Sequence, residues 1–127
     1  MAANSNPEAV ALQTGKIDGR MLSQRMVDEC ATYNSLGRVG HVGVVVGATV
    51  STPPVLDSLN GPVLMPGVGA QGATMQDAEA IAGSIGHLVF PSVSRSVLSA
   101  GPDTAELRKR VSALVKSGNP QGAFTAE

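Results

Sequence analysis

Several residue types are scarce in this 127-residue chain, and each scarcity excludes something. Cys30 is the only cysteine, so the chain can form no internal disulfide and no cysteine zinc site. Aromatic residues are 2% of the sequence and tryptophan is absent, which removes the stacking platforms that single-stranded nucleic acids need. Charged residues make up only 15%, with a formal net charge of −1 and no basic block, so no nucleic-acid footprint is present. No apolar run is long enough to cross a bilayer. The N-terminal Met1-Ala-Ala-Asn-Ser-Asn-Pro7 lacks the basic and apolar regions of a signal peptide. These features fit a cytoplasmic enzyme, with no nucleic acid and no membrane as partner.

What the chain does contain is Val, Ala, Leu and Ile within a 43% hydrophobic total, together with 15 glycines. That is the composition of parallel strands buried on both faces and joined by tight turns. The length allows one domain. We place it over residues 1–116, with 117–127, poor in apolar groups and holding Gly118, Pro120 and Gly122, as a flexible tail.

Along the chain, Asn6-Pro7-Glu8 reads as a helix start, with Asn6 as N-cap and Pro7 in the first turn. Asp18-Gly19 reads as a turn, followed by a helix from about Met21 to Leu36 that Gly37 ends. Met21 and Met26 are expected as core filler, and Cys30 on the apolar face of that helix. His41–Thr49 is a β-branched run and reads as a buried strand. Residues 51–59 suggest a short helical crossover. Pro62–Met65 and Leu88–Val93 are the next strands, with a Thr74-capped helix between them. Ser94–Leu98 starts a short helix, and Thr104 caps a longer one to about Lys116. Strands alternating with helices at this spacing indicate an α/β fold with a parallel sheet.

The most informative stretch is Pro62-Val-Leu-Met-Pro-Gly-Val-Gly-Ala-Gln-Gly72. It begins as a strand and ends as a glycine-rich loop carrying one polar side chain, Gln71. Glycines let backbone approach a ligand, and loop N–H groups can converge on an anion. The next strand delivers Arg95 just past its end, where a planar guanidinium can grip two phosphate oxygens. Two successive strand ends of this kind form a phosphate cup, the place where a (β/α)8 barrel usually keeps one. Read alone, each residue has a plainer role. Arg95 and Gln71 could be solvated, the glycines could serve turns only, and Ser5 could be a cap partner. His41 and His87 precede strands and are expected to be structural or solvated, and Arg108, Lys109 and Arg110 to form a solvated face.

Taken together, the segments resemble orotidine 5′-phosphate decarboxylase, in its longer bacterial branch. Asn4-Ser5-Asn6-Pro7-Glu8 is similar to the loop after that family's fifth barrel strand, and Gly43–Thr49 to its sixth strand. Pro66–Gly72 is similar to its seventh loop, and Pro91–Leu98 with Ala100-Gly-Pro102 to its eighth strand and following helix. The resemblance implies the C-terminal half of a TIM barrel, from the end of strand five through helix eight. It implies an enzyme that converts orotidine monophosphate to UMP and CO2, in pyrimidine biosynthesis, with no metal or organic cofactor. It carries over the phosphate contacts to Gln71, Gly72 and Arg95 and a contact with the pyrimidine edge to Ser5.

Departures are equally specific. Asn4, Ala9 and Ala73 stand where the family favours Thr, Gly and Gly; a backbone needing positive φ at residue 73 would be strained by alanine. The family's Asp-Ala-Lys-Arg-Gly-Asp catalytic pattern is absent, so no catalytic residue is assigned. The expectation is an inactive half-barrel that needs the missing N-terminal half; the full-length family is homodimeric. Two other readings stay open: another phosphate-binding barrel, such as a sugar-phosphate isomerase, aldolase or synthase, and a non-enzymatic remnant.

Overall fold

A computed structural model describes residues 1–36 and 40–118. The expected helix stop at Gly37 and most of the expected tail lie outside the described residues.

The N-terminal segment enters through Ala3, which forms a parallel bridge with Val46. A 3-10 turn, Pro7–Ala9, follows, with the Asn6 side chain accepting from the Glu8 N–H. Helix α1 (Val10–Thr14) continues from it. Next comes a hairpin that the sequence reading missed: β1 (Lys16–Ile17) pairs antiparallel with β2 (Arg20–Met21). Asp18 and Gly19 sit between them at φ 52° and 79°. This Asp-Gly pair is a strong short-range hairpin signal, and two positive φ values match the turn that suits strand twist. Helix α2 (Leu22–Asn34) follows directly.

Three short strands then form a parallel sheet in the order β3 (Val44–Val45), β4 (Val63–Pro66), β5 (Val89–Ser92). Between β4 and β5 lie α3 (Met75–Ala82) and a 3-10 segment, Gly83–Leu88. After β5 come α4 (Arg95–Leu98) and α5 (Thr104–Ser117). Thr74 and Asp77 form a reciprocal capping box on α3. The cap of α5 is Asp103 and not Thr104: its carboxylate accepts from the N–H groups of Ala105 and Glu106.

Residues 51–59 do not form the expected helix. Pro53 and Pro54 remove two N–H donors and push their predecessors to extended backbone. The segment is held instead by side chains. Gln24 accepts from the Val55 N–H at 2.7 Å and donates to the Val55 carbonyl at 3.0 Å. Asp57 accepts from the Ser84 hydroxyl and from its N–H.

One apolar cluster holds the sheet to the connecting segments. Val44, Val46, Val63, Met65 and Val89 pack with Leu56, Leu59, Val27, Ala78, Ala82 and Ile85. Cys30 packs against this cluster as expected, whereas Met26 is 43% exposed and is not core. The opposite face of the sheet is open. Val45 pairs with Leu64 and Leu64 with Phe90, so these three form one row across the strands. Leu64 is 48% and Phe90 58% exposed. A strand alternates its side chains between two faces, and here only one face is covered.

At the N-terminal ends of the strands, Asn34 is buried and fully engaged. Its Nδ2 donates to the carbonyls of Val42 (2.8 Å) and Leu59 (2.9 Å), and its Oδ1 accepts from the Val42 N–H at 3.1 Å. Asn60 donates to its carbonyl. Gly61 allows this approach: a Cβ there would stand 2.5 Å from both Asn34 Nδ2 and the Val42 carbonyl oxygen.

Candidate functional site

The parallel register puts the ends of β4 and β5 beside one another, with Pro66 opposite Ser92. The loop after β4 and the start of α4 after β5 therefore leave the sheet as neighbours. A cavity of about 120 Å³ lies between them. Pro66, Gly67, Val68, Ala70 and Gln71 line one side, and Ser92, Ser94 and Arg95 the other. At roughly 30 Å³ per water molecule, it offers room for about four.

The loop is an ordered turn. The Gly72 N–H donates to the Gly69 carbonyl at 2.9 Å, and the Gly69 N–H donates to the Ala73 carbonyl at 2.8 Å. Gly67, Gly69 and Gly72 have φ of 113°, 81° and 97°, a region costly for residues with a Cβ. Gly69 also packs against α4, where a Cβ would come within 2.5 Å of the Ser96 hydroxyl oxygen. These hydrogen bonds modify the expected ring of converging amides. Two of the glycine N–H groups are used inside the turn, and Ala70 and Gln71 form its exposed tip. Ala73 does not have positive φ and is buried in a bridge with Val68, so alanine is accommodated there.

The other candidate residues fall as follows. Arg95 is exposed, lines the cavity, and makes no ion pair among the described residues. Gln71 lies at the cavity mouth, and its Oε1 accepts from the Ser5 hydroxyl at 3.1 Å. The loop before α1 and the loop after β4 thus touch through two of the residues singled out in the sequence, 66 positions apart. Gly72 does not line the Arg95 cavity. It borders a larger neighbouring hollow of about 590 Å³, which it shares with Gln71, Thr49, Asp77 and others. Gln71 forms the wall between the two spaces.

The electrostatics are simple. Among the described residues Arg95 supplies the only formal charge on the 120 Å³ cavity, so the cavity suits an anion. Asp77, on the wall of the larger hollow, is held below the usual carboxylate range by the Thr74 N–H and hydroxyl. It is therefore an anion bound to its own cap and not a proton donor at neutral pH. Among the described residues no cluster of His, Cys, Asp and Glu could hold a metal ion, and no helix is long and apolar enough to cross a membrane.

Sequence reasoning missed two contributors. Gln13 donates to the Asn4 carbonyl at 3.1 Å and accepts from the Asn4 N–H, fixing the peptide before Ser5. Thr49 stands at the end of the β3 segment, lining both the larger hollow and a smaller one beside Ser5. Its hydroxyl is buried without a partner. The Gln13 contact reaches back nine residues from α1 to the loop before it, which no periodic pattern reveals.

The chain is similar to known proteins both in sequence and in fold. No family profile matches the chain. The orotidine 5′-phosphate decarboxylase of Corynebacterium glutamicum strain R is 52% identical over 116 residues, covering 87% of this chain. That of Corynebacterium efficiens is 52% identical over 117 residues and 88% of the chain. That of Salinispora tropica is 46% identical over 111 residues and 85% of the chain. The chain spans 40–42% of the length of these relatives. A crystal structure from Streptomyces avermitilis, of a protein assigned as orotidine 5′-phosphate decarboxylase, superposes with a TM-score of 0.78 at 38% identity. That match covers 91% of this chain and 42% of the other. By sequence and by fold, the chain is similar to about two-fifths of these orotidine 5′-phosphate decarboxylases.

Proposed function

We propose that this chain supplies the phosphate-binding part of an orotidine 5′-phosphate decarboxylase. The observation that carries the reading is the cavity shared by the β4 loop and Arg95, with Gln71 tied to Ser5 at its mouth. In this reading the Arg95 guanidinium holds the 5′-phosphate of a pyrimidine nucleotide. Gln71 uses its Oε1 to accept from Ser5, which leaves its two Nε2 hydrogens for a phosphate oxygen. Ser5 meets the edge of the base, and the turn around Gly72 gives the loop its shape.

Loss of CO2 from an sp² carbon leaves a carbanion that needs electrostatic stabilisation and a proton donor. The chain carries no Asp-x-Lys pattern to provide them; its lysines are Lys16, Lys109 and Lys116. Its share of catalysis is therefore remote binding. Binding energy from a non-reacting phosphate can be spent on lowering the barrier at the reacting ring. The Lys and Asp groups belong to a complementary half of the barrel, and that half would bury the Val45–Leu64–Phe90 row. Residues 1–116 form the unit that takes part, in a cytoplasmic enzyme that is dimeric when whole.

Thermal unfolding with and without nucleotide tests the proposal. UMP or a 6-substituted analogue is expected to raise Tm, and Arg95→Ala to abolish the shift. Protection by triose or pentose phosphates instead would favour a sugar-phosphate enzyme. No protection by any of them would leave a remnant without this site.

A further inference from the structure

We propose that Gln13 is a positioning residue that sets Ser5 against Gln71 before any ligand arrives. The inference rests on the reading of Gln71 as a phosphate contact, and goes beyond it by naming what aims that side chain. Gln13 projects from α1, is half-buried, and addresses both backbone polar groups of one residue: it donates to the Asn4 carbonyl and accepts from the Asn4 N–H. A carboxamide engaged on both sides in this way replaces the strand neighbour that residue 4 lacks. Directly before it, Ala3 is fixed by its own sheet contacts: the Gly47 N–H donates to the Ala3 carbonyl at 3.0 Å. Directly after it, the Asn6 N–H donates to the Asn4 side chain at 2.9 Å, and Asn6 in turn caps Glu8. Ser5 hydrogen-bonds to the β4 loop through Gln71, and Gln13 fixes the peptide from which it springs.

The consequence reaches the cavity in two steps. Ser5 donates to Gln71 Oε1, so the Gln71 amide is turned with its nitrogen away from Ser5. Gly67 makes room for this orientation: a Cβ there would sit 3.3 Å from Gln71 Oε1. A glutamine loses much rotamer freedom when it is held at both ends. The return on that ordering is a Gln71 whose donors are already arranged for an anion, which is the meaning of preorganisation.

The test compares Gln13→Met, which keeps the length of the side chain and loses both hydrogen bonds, with Gln13→Glu, which keeps the acceptor, and with Ser5→Ala. Two readouts are taken on the full chain: the side-chain amide resonances of Gln71 by NMR, and UMP affinity by titration. Gln13→Met is expected to move the Gln71 resonances in the same direction as Ser5→Ala, with Gln13→Glu in between. It should weaken UMP binding by about two- to tenfold, the range for one lost hydrogen bond. In the Ser5→Ala background it should weaken binding no further, because it acts through Ser5. Unmoved Gln71 resonances in both Gln13 variants would overturn the proposal, as would a loss of affinity that adds fully to that of Ser5→Ala. If the parent chain binds no UMP, the phosphate reading falls, while the Gln71 resonances still decide whether Gln13 aims that side chain. If Gln13→Met does not fold, Gln13→Glu carries the same decision.

Discussion

The two ends of the parallel sheet solve opposite problems. At the N-terminal end, Asn34 is buried and its amide satisfies backbone groups of Val42 and Leu59 that no strand pairs. At the C-terminal end, Arg95, Gln71 and Ser5 are exposed, and the glycine loop holds its shape through positive φ. One end uses polar chemistry to close the structure, and the other keeps polar chemistry available. Polarity alone therefore does not mark a site; what matters is whether the polar group's hydrogen bonds are already made.

The comparison can be broken by exchanging which property each end controls. Asn34→Leu should have the largest effect. It strands one N–H and two carbonyls, and at roughly 1–3 kcal/mol per buried group the loss is about 3 kcal/mol or more. Denaturant unfolding should show it as a lower midpoint; an unchanged midpoint would mean that the closed end is not what holds the sheet. Arg95→Ala should do the reverse. It should cost roughly 1.5–3 kcal/mol of nucleotide binding, the range for a charge-assisted contact, and leave unfolding unchanged because Arg95 is exposed and unpaired among the described residues. Equal losses of stability in the two variants would erase the distinction.

Gly69→Ala sharpens the boundary, because it is a backbone change within the open end. Its φ of 81° costs about 1–2 kcal/mol for a residue with a Cβ, and the added methyl group meets Ser96. Stability and UMP affinity should both fall, and loss of only one would show that the turn and the cavity are separable. The smallest effect is the acid response. Asp57 and Asp77 are both exposed, with carboxyls held below the usual range by Ser84 and by Thr74 respectively. A lowered folded-state pKa gives stability that is present above the unfolded value, near 3.8, and lost as pH falls through the folded value. Asp57→Asn and Asp77→Asn should therefore lower the unfolding midpoint slightly at neutral pH, and the gap to the parent should close as pH falls through the folded value.

The open end was the legible one. Glycine spacing and an arginine just past a strand are local signals, and the fold brings their segments together because sequential strands pair. Asn34 was invisible for the converse reason: its partners lie 8 and 25 residues away, in segments without regular structure. The segment 51–59 departs from the expected helical crossover because Pro53 and Pro54 lack the N–H groups a helix needs. The hairpin at 16–21 was missed because two residues per strand are too few to show alternation, although Asp18-Gly19 was recognised as a turn. The exposure of Leu64 and Phe90 needed coordinates, since a run such as Val63-Leu-Met65 reads the same whether one face or both are covered.

The self-bonded turn at Gly69–Ala73 has a kinetic corollary. A loop already folded around its own amides offers an incoming anion a finished receptor, so association should proceed as a single bimolecular phase with a rate linear in ligand concentration. Variants at Arg95 should then differ from the parent chiefly in how long the nucleotide stays, and much less in how quickly it arrives.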